Sequence, residues 1–343
     1  MSNPYLSIIL VGRNDNYGGD FIKRLQTSLD WNTRLLEEWK IPTEIIIVNW
    51  NPVPENKPFE QLITFVENRK YVSCKIISVS PEIHQHFVNP ELRQTVPVFE
   101  FIAKNAGIRR ATGEFILCIN ADILIHPDVI KFIAARKINT DSYYRTNRFD
   151  FNGKTATNSI DDFYKMGSVV SLKGFLYSFN SFFDKKIQYL IFRIINRVRI
   201  AVELWKYKNQ KISNLLGVSV TYNNAAYYAH CHNSGDFMLM HKLHWFQLRG
   251  YPEYTKIATH TDAVFTIFAY AKLKEYVFSC PVFHQEHERR YSWDAIKHES
   301  VFLEAYAKFE DIARHVFLER KADNFLNDET WGLQNFSLPE NTF

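Results

Sequence analysis

The 343-residue chain is 46% hydrophobic and 23% charged, a globular composition long enough for one large domain or two ordinary ones. A formal charge of +4 and a pI near 8.7 exclude the strongly basic footprint of a dedicated nucleic-acid binder, while anionic small molecules and an anionic membrane surface stay open as partners. Aromatic residues make up 15% of the chain, which suits a well-filled core or stacking surfaces.

The N-terminal run MSNPYLSIILVG lacks a basic segment and is too short for a signal peptide, so the expectation is a cytoplasmic protein. Strand-like runs follow at 6–12 (LSIILVG), 43–50 (TEIIIVNW), 74–80 (CKIISVS) and 114–120 (EFILCIN). Between them, 18–40, 59–70 and 98–111 space their apolar residues every three to four positions, as helices do. This alternation predicts a parallel sheet covered by helices, whose ligands bind beyond the carboxyl ends of the strands. Those ends carry Arg13-Asn14-Asp15, Asn49-Trp50-Asn51 and Asn120-Ala121-Asp122. An Asp at the end of an apolar strand loses hydration unless a cation or ligand compensates it; a turn is the alternative, and the convergence of three such ends favours a site. Neither GxGxxG nor GxxxxGK[ST] is present, so phosphates are not held by either glycine loop.

Residues 185–211 mix Ile, Leu and Phe with Lys and Arg in a long helical run, which fits a helix on an anionic membrane or one packed on the core with a basic flank. Residues 226–290 are dense in His, Asp and aromatics, and the tail after 291 reads as one or two amphipathic helices followed by a polar stretch. The four cysteines, Cys74, Cys118, Cys231 and Cys280, show no CxxC pair and read as reduced. No apolar run reaches the length of a membrane span.

The pieces SIILVGRNDNYGGDF, EIIIVNWNP, KNAGIRRATGEFILCINADILI, SGDFMLMHKLHWFQLRGYPEY, THTDAVF and PVFHQEHE occur in an order that resembles the GT-A fold glycosyltransferases, family 2-like, over most of residues 5 to 290. The resemblance implies a Rossmann-like, mostly parallel sheet flanked by helices, with a helical insertion and C-terminal helices. It divides the chain into a nucleotide-sugar half (1–140), an insertion (141–225), an acceptor and catalytic half (226–290) and a helical tail (291–343). It implies inverting transfer from a UDP- or GDP-sugar to a glycan or lipid-linked acceptor, assisted by Mn²⁺ or Mg²⁺.

On this reading Asp122 is a metal ligand, joined by His284 or His287, with His284 preferred as the nearer to the apolar strand. Asp262 takes the place of the catalytic base, although an Asp opening a helix is also a common cap. Asp236 and Trp245 are assigned to substrate contact; a turn and a core position are their ordinary alternatives. Arg13, Asn14, Asp15, Asn49, Asn51, Asn105, Arg109 and Asn120 are assigned to the nucleotide. Adjacent helical residues point about 100° apart, so at most one of Arg109 and Arg110 should face it. Asn49 and Asn51 stand where the family usually has acidic residues, and Asn-Ala-Asp replaces the DxD-type motif. A sugar nucleotidyltransferase, whose compact glycine loop is missing, and a non-catalytic sugar-binding scaffold are the competing readings.

Overall fold

The computed structural model describes residues 3–88, 96–151, 234–255, 261–288 and 321–343, with isolated positions between 162 and 316. Most of the helix expected over 185–211, and His260 beside Asp262, lie outside the described residues. Strand β1 (Leu6–Gly12) is followed by helix α1 (Phe21–Glu38), strand β2 (Thr43–Trp50), a short α2 (Phe59–Leu62) and strand β3 (Val72–Val79). Next come α3 (Pro81–Gln85), α4 (Glu100–Arg109), β4 (Phe115–Cys118), β5 (Ile123–Leu124), α5 (Pro127–Ala134), β6 (Ser142–Arg145), β7 (Arg148–Phe151) and β8 (Gly167–Ser168). Strand β9 (Met238–His241) runs into α6 (Lys242–Gln247); then follow α7 (Thr261–Lys272), β10 (Lys274–Val277), β11 (Val282–Gln285) and β12 (Glu340–Thr342).

The large sheet has the order β10-β6-β9-β4-β1-β2-β3-β12, and its centre, β4-β1-β2-β3, is parallel as expected. Chain order moves outward from β1 through β2 to β3, then returns to the other side of β1 with β4. The connections diverge between β1 and β4, which opens a crevice beyond their carboxyl ends. A second sheet, β5-β11-β7-β8, stands beside that crevice. The start of the expected insertion at 141 thus contributes strands to both sheets, since β6 pairs with β9 and β10 while β7 pairs with β11.

Strand periodicity builds the core. Leu6, Ile8 and Leu10 of β1 face the cluster that contains Leu25, Leu29 and Leu36 of α1 and Val129, Ile130 and Ile133 of α5. Ile9 and Val11 face the opposite cluster, with Ile102 and Ala106 of α4 and Val264, Phe265 and Phe268 of α7. Helix α4 sits close because Gly107 lacks a side chain: a Cβ there would lie 2.7 Å from Ile9 Cγ2. The cysteines are free, and no helix among the described residues is long and apolar enough to cross a membrane.

The stretch after residue 326, which reads as polar, folds back onto the sheet. Strand β12 pairs antiparallel with β3, and Trp331, Leu333 and Leu338 are buried. Arg110 holds this segment: Nη1 donates to Gly332 O at 3.0 Å, and Nη2 to Leu333 O and Phe336 O, each at 3.0 Å. Arg109 donates to Glu329 O at 3.1 Å and to Gln334 Oε1, and its guanidinium lies 4.8 Å from the Trp331 ring centroid. Both arginines therefore serve the C-terminal segment, and the assignment of Arg109 to the nucleotide is corrected. The reason is helix polarity. Helix α4 runs against the parallel strands, so its N-terminus reaches the crevice while its C-terminus lies at the far edge of the sheet. Arg110→Ala should accelerate amide exchange over 330–343 and lower stability by about 1–3 kcal/mol, as three carbonyl partners lose their donor; hydrogen exchange and urea unfolding measure the two effects.

Candidate functional site

The register of the second sheet assembles the site. Strand β11 lies between β5 and β7, with His284 opposite Ile123 on one side and Asp150 on the other. His284 consequently falls between Asp122, which immediately precedes β5, and Asp150. Asp122 Oδ2 lies 3.6 Å from His284 Nε2, 3.3 Å from His287 Nε2 and 3.7 Å from Arg24 Nε. The ligand-bearing atoms of Asp122, His284 and His287 all lie within 4.8 Å of one another. Both histidines join the cluster, where the sequence reading chose between them.

The second ring nitrogens show why this group fits a cation. His287 Nδ1 lies 2.8 Å from Glu288 O, and His284 Nδ1 lies 3.0 Å from Asp150 Oδ1, a close but off-axis approach. Each imidazole that gives its Nδ1 proton to such an oxygen turns its Nε2 lone pair towards Asp122, the arrangement by which metal-binding histidines are oriented. Three acceptors facing one another require either protons or a cation between them. Gly18 leaves room for His287: a Cβ at this residue, whose φ is +64°, would lie 2.8 Å from His287 Nδ1. Tyr17 packs edge-on against the same ring, with centroids 5.4 Å apart, and is itself exposed.

Burial alone would raise the Asp122 pKa, but the hydrogen bond from His287 and the charges of His284, His287 and Arg24 outweigh it and hold the carboxyl below its ordinary value. Burial alone would lower His284, but its contact with Asp150 and the charges of Asp122 and Asp236 lift it above its ordinary value.

A chain of buried polar groups leads away from the cluster. Arg148 Nε lies 2.8 Å from Asp150 Oδ1, and Arg148 Nη1 lies 3.1 Å from Asp236 Oδ2. Asn120 Nδ2 donates to Asp236 Oδ1 at 2.8 Å, and Asn120 Oδ1 accepts from Lys104 Nζ at 2.7 Å. The fully buried Lys104 ammonium also donates to Glu100 Oε1 at 2.7 Å and to Gly235 O at 2.9 Å. Gly235 N and Ser234 Oγ in turn donate to Asp262 Oδ2, at 2.7 and 2.8 Å. Asp262 lies in the first turn of α7, and Oδ1 takes no hydrogen bond among the described residues. It thus ties the 234–236 turn to the helix and keeps one oxygen available.

Other expected site residues have structural roles. Trp245 is fully buried, with its indole stacked on Phe265 at 4.7 Å and Nε1 donating to Ile116 O, so it is a core residue and not a substrate contact. Trp50 and Tyr251 are likewise buried. Asn105, assigned to the nucleotide, is buried with its amide bonded to Tyr251 N, Tyr251 O and Glu253 Oε1. Asn14 is similarly corrected: its amide bonds Val53 N, Val53 O and Lys57 O, fastening the loop after β2. Asp236 and Asn120 bond each other, and their other side-chain atoms meet Arg148 and Lys104 at the edge of the crevice.

Arg13, Asp15, Asn49 and Asn51 remain at the strand ends. Arg13 Nε donates to Asn51 O at 2.6 Å and Nη1 pairs with Asp15 at 3.0 Å. Asn51 has a φ of +49° and donates from Nδ2 to Pro97 O. Asn49 Oδ1 is buried with no hydrogen-bond partner.

Arg24, Lys104, Arg148 and Asp150 were missed in the sequence, although each leaves a trace. Arg24 interrupts the apolar stripe of Phe21, Leu25 and Leu29, and Lys104 sits in a helix buried continuously from Phe101 to Ile108. Arg148 and Asp150 alternate with Phe149 and Phe151, which places both charges on one side of a strand.

No family profile and no curated protein matches the sequence. Among solved structures it is similar to residues 1–349 of S. aureus TarS in complex with UDP-GlcNAc, at 16% identity and a TM-score of 0.44, over 92% of this chain and 72% of that one. A second structure of S. aureus TarS 1–349 gives 15% identity and a TM-score of 0.43 over the same shares.

Two outcomes follow from the charges. The stabilisation from the depressed Asp122 is present above pH 3.8 and is lost as pH falls through its lower folded value; that from the raised His284 is present below 6.5 and is lost as pH rises through its higher folded value. In EDTA, these two groups should give a stability maximum between those limits, and Asp122→Asn should flatten both flanks in urea titrations. Lys104→Met should cost about 3–5 kcal/mol in the same assay, because Glu100, Asn120 and Gly235 O lose their shared cation.

Proposed function

We propose that the chain is a GT-A-type glycosyltransferase that moves a sugar, with inversion, from a UDP- or GDP-sugar to a glycan or lipid-linked acceptor hydroxyl. The observation that carries this reading is the convergence of Asp122, His284 and His287 beside the crevice at which the parallel sheet switches direction. A carboxylate and two imidazoles would hold a divalent cation there, and the two nitrogen donors suit Mn²⁺ better than Mg²⁺. When bound, such a cation neutralises the charge that develops on a leaving diphosphate.

The remaining chemistry belongs to the chain. Arg13 and Asp15 flank the crevice at the end of β1. Asn49 Oδ1, buried and unpaired, would accept an N–H from the nucleotide base. In the transfer step the bond from the anomeric carbon to the diphosphate oxygen breaks, and the acceptor oxygen bonds the same carbon from the opposite face. The acceptor's proton passes to Asp262 Oδ1, while Oδ2 stays anchored by Gly235 N–H and Ser234. Lys104 serves this step indirectly by holding Gly235. Reduced cysteines agree with a cytoplasmic setting for the reaction, and a lipid-linked acceptor would place it at a membrane.

The test is nucleotide release from a panel of UDP- and GDP-sugars with Mn²⁺. Asp262→Asn should lower turnover by about 10²- to 10⁴-fold with nucleotide affinity nearly unchanged, whereas Asp122→Ala should weaken both turnover and Mn²⁺-dependent nucleotide binding in calorimetry. Undiminished turnover in the Asp262 variant would remove it from the role of base. Failure of every nucleotide sugar to bind or turn over would favour a non-catalytic scaffold.

A further inference from the structure

Arg145 is a fully buried cation for which the transfer step described above has no use. It is the last residue of β6, a strand paired with β9 on one side and β10 on the other, and its carbonyl accepts Phe278 N at 2.9 Å. The side chain therefore starts from a held backbone. Arg145 Nη1 donates to Ser234 O at 3.2 Å, and the hydroxyl of the same Ser234 donates to Asp262 Oδ2 at 2.8 Å. A single residue thus links the guanidinium to the carboxylate.

Packing alone does not call for an arginine here, since replacing a buried ion pair by apolar side chains of similar volume is often neutral or stabilising. Burial works against the charge of Arg145, and Asp262 is foremost among the groups that sustain it, ahead of Tyr251, Cys231 and Glu275. Tyr251 stays neutral, because burial pushes its hydroxyl well above the ordinary value. Glu275 already takes the Tyr143 hydroxyl at 2.7 Å. From the other side, the Lys104 ammonium reaches the 234–236 turn through Gly235 O. Coulombic attraction is mutual, so Arg145 gives the Asp262 carboxylate a fixed countercharge. We propose that Arg145 is a positioning residue for glycosyl transfer: it clamps Ser234 behind the base and supplies the countercharge that holds the Asp262 carboxylate in its proton-accepting form. This role rests on Asp262 being the base.

The experiment is the pH dependence of nucleotide release at saturating Mn²⁺ and donor sugar in the parent, Arg145→Gln and Arg145→Lys. Arg145→Gln keeps a donor for Ser234 O but loses the charge. Its kcat at neutral pH should fall about ten- to a hundredfold with KM for the donor unchanged. Its acidic limb should move upward by about one pH unit, since a base without its neighbouring cation captures solvent protons more readily. Arg145→Lys keeps the charge without the fork, so its limb should stay at the parent position while part of the loss in kcat remains. A limb unmoved in Arg145→Gln, or displaced as far in Arg145→Lys as in Arg145→Gln, overturns the proposal. If Arg145→Gln does not fold, Arg145→Lys decides: an undiminished kcat there overturns the clamp. A urea series separates these failures from that of the base assignment. Arg145→Gln and Asp262→Asn should each lower the midpoint, and the double variant should lower it by less than the sum. Additive losses overturn the pairing whether or not turnover is seen, whereas absence of turnover with every nucleotide sugar removes the glycosyl-transfer reading, and this role falls with it.

Discussion

A carboxylate at the end of a buried strand must find positive charge or lose its proton, and the surroundings of Asp122 are organised by that requirement. Its strand end is apolar because Ile116, Leu117, Cys118 and Ile119 fill the core. The compensating groups must therefore come from other elements. Arg24 comes from the first helix, and His284 and His287 from the second sheet and the loop after it. This explains why a small four-stranded sheet stands beside the large one: it delivers two imidazoles to a single oxygen. Each new charge brings a further demand. His284 is raised by Asp150, Asp150 is balanced by Arg148, and Arg148 is shared with Asp236. The series ends at Lys104, whose ammonium has three acceptors and so leaves no proton unpaired.

One physical link then joins the cluster to the first turn of helix α7. Lys104 grips the 234–236 turn from one side and Asp262 grips it from the other. Displacement of Asp236 at the cluster end would be felt at Asp262 through a turn with little freedom, because Ser234, Gly235 and Asp236 are all buried. Rigidity of this kind suits chemistry that depends on placing a carboxylate against a hydroxyl within hydrogen-bonding distance.

Much of the large sheet was legible in the sequence, because strands buried on both faces are apolar throughout and end abruptly in polar residues. The runs at 6–12 and 43–50 coincide with β1 and β2, and Asp122 was readable as the charged end of one such run. The second sheet was harder to see. Strand β5 is two residues long and β11 four, and their pairing joins Leu124 to Phe283, so no local pattern announces that His284 will lie between two aspartates. The misassigned residues share a cause. Asn14, Asn105 and Arg109 have the chemistry to bind a nucleotide, but an amide or guanidinium binds a backbone carbonyl equally well. Only the direction of helix α4 decides that Arg109 lies at the wrong end of the sheet. Trp245 erred for the complementary reason, since an indole that fits a sugar face also fits Phe265.

Strand β12 closes the free side of β3 with residues 340–342, far from β3 in the sequence. During synthesis on a ribosome, β3 would consequently expose a row of unpaired backbone groups until residues 340–342 had emerged. The nascent protein is thus most prone to edge-to-edge association in this interval. Its yield in a host cell should depend on how quickly residues 340–342 reach their place, a kinetic vulnerability unrelated to the stability of the finished fold.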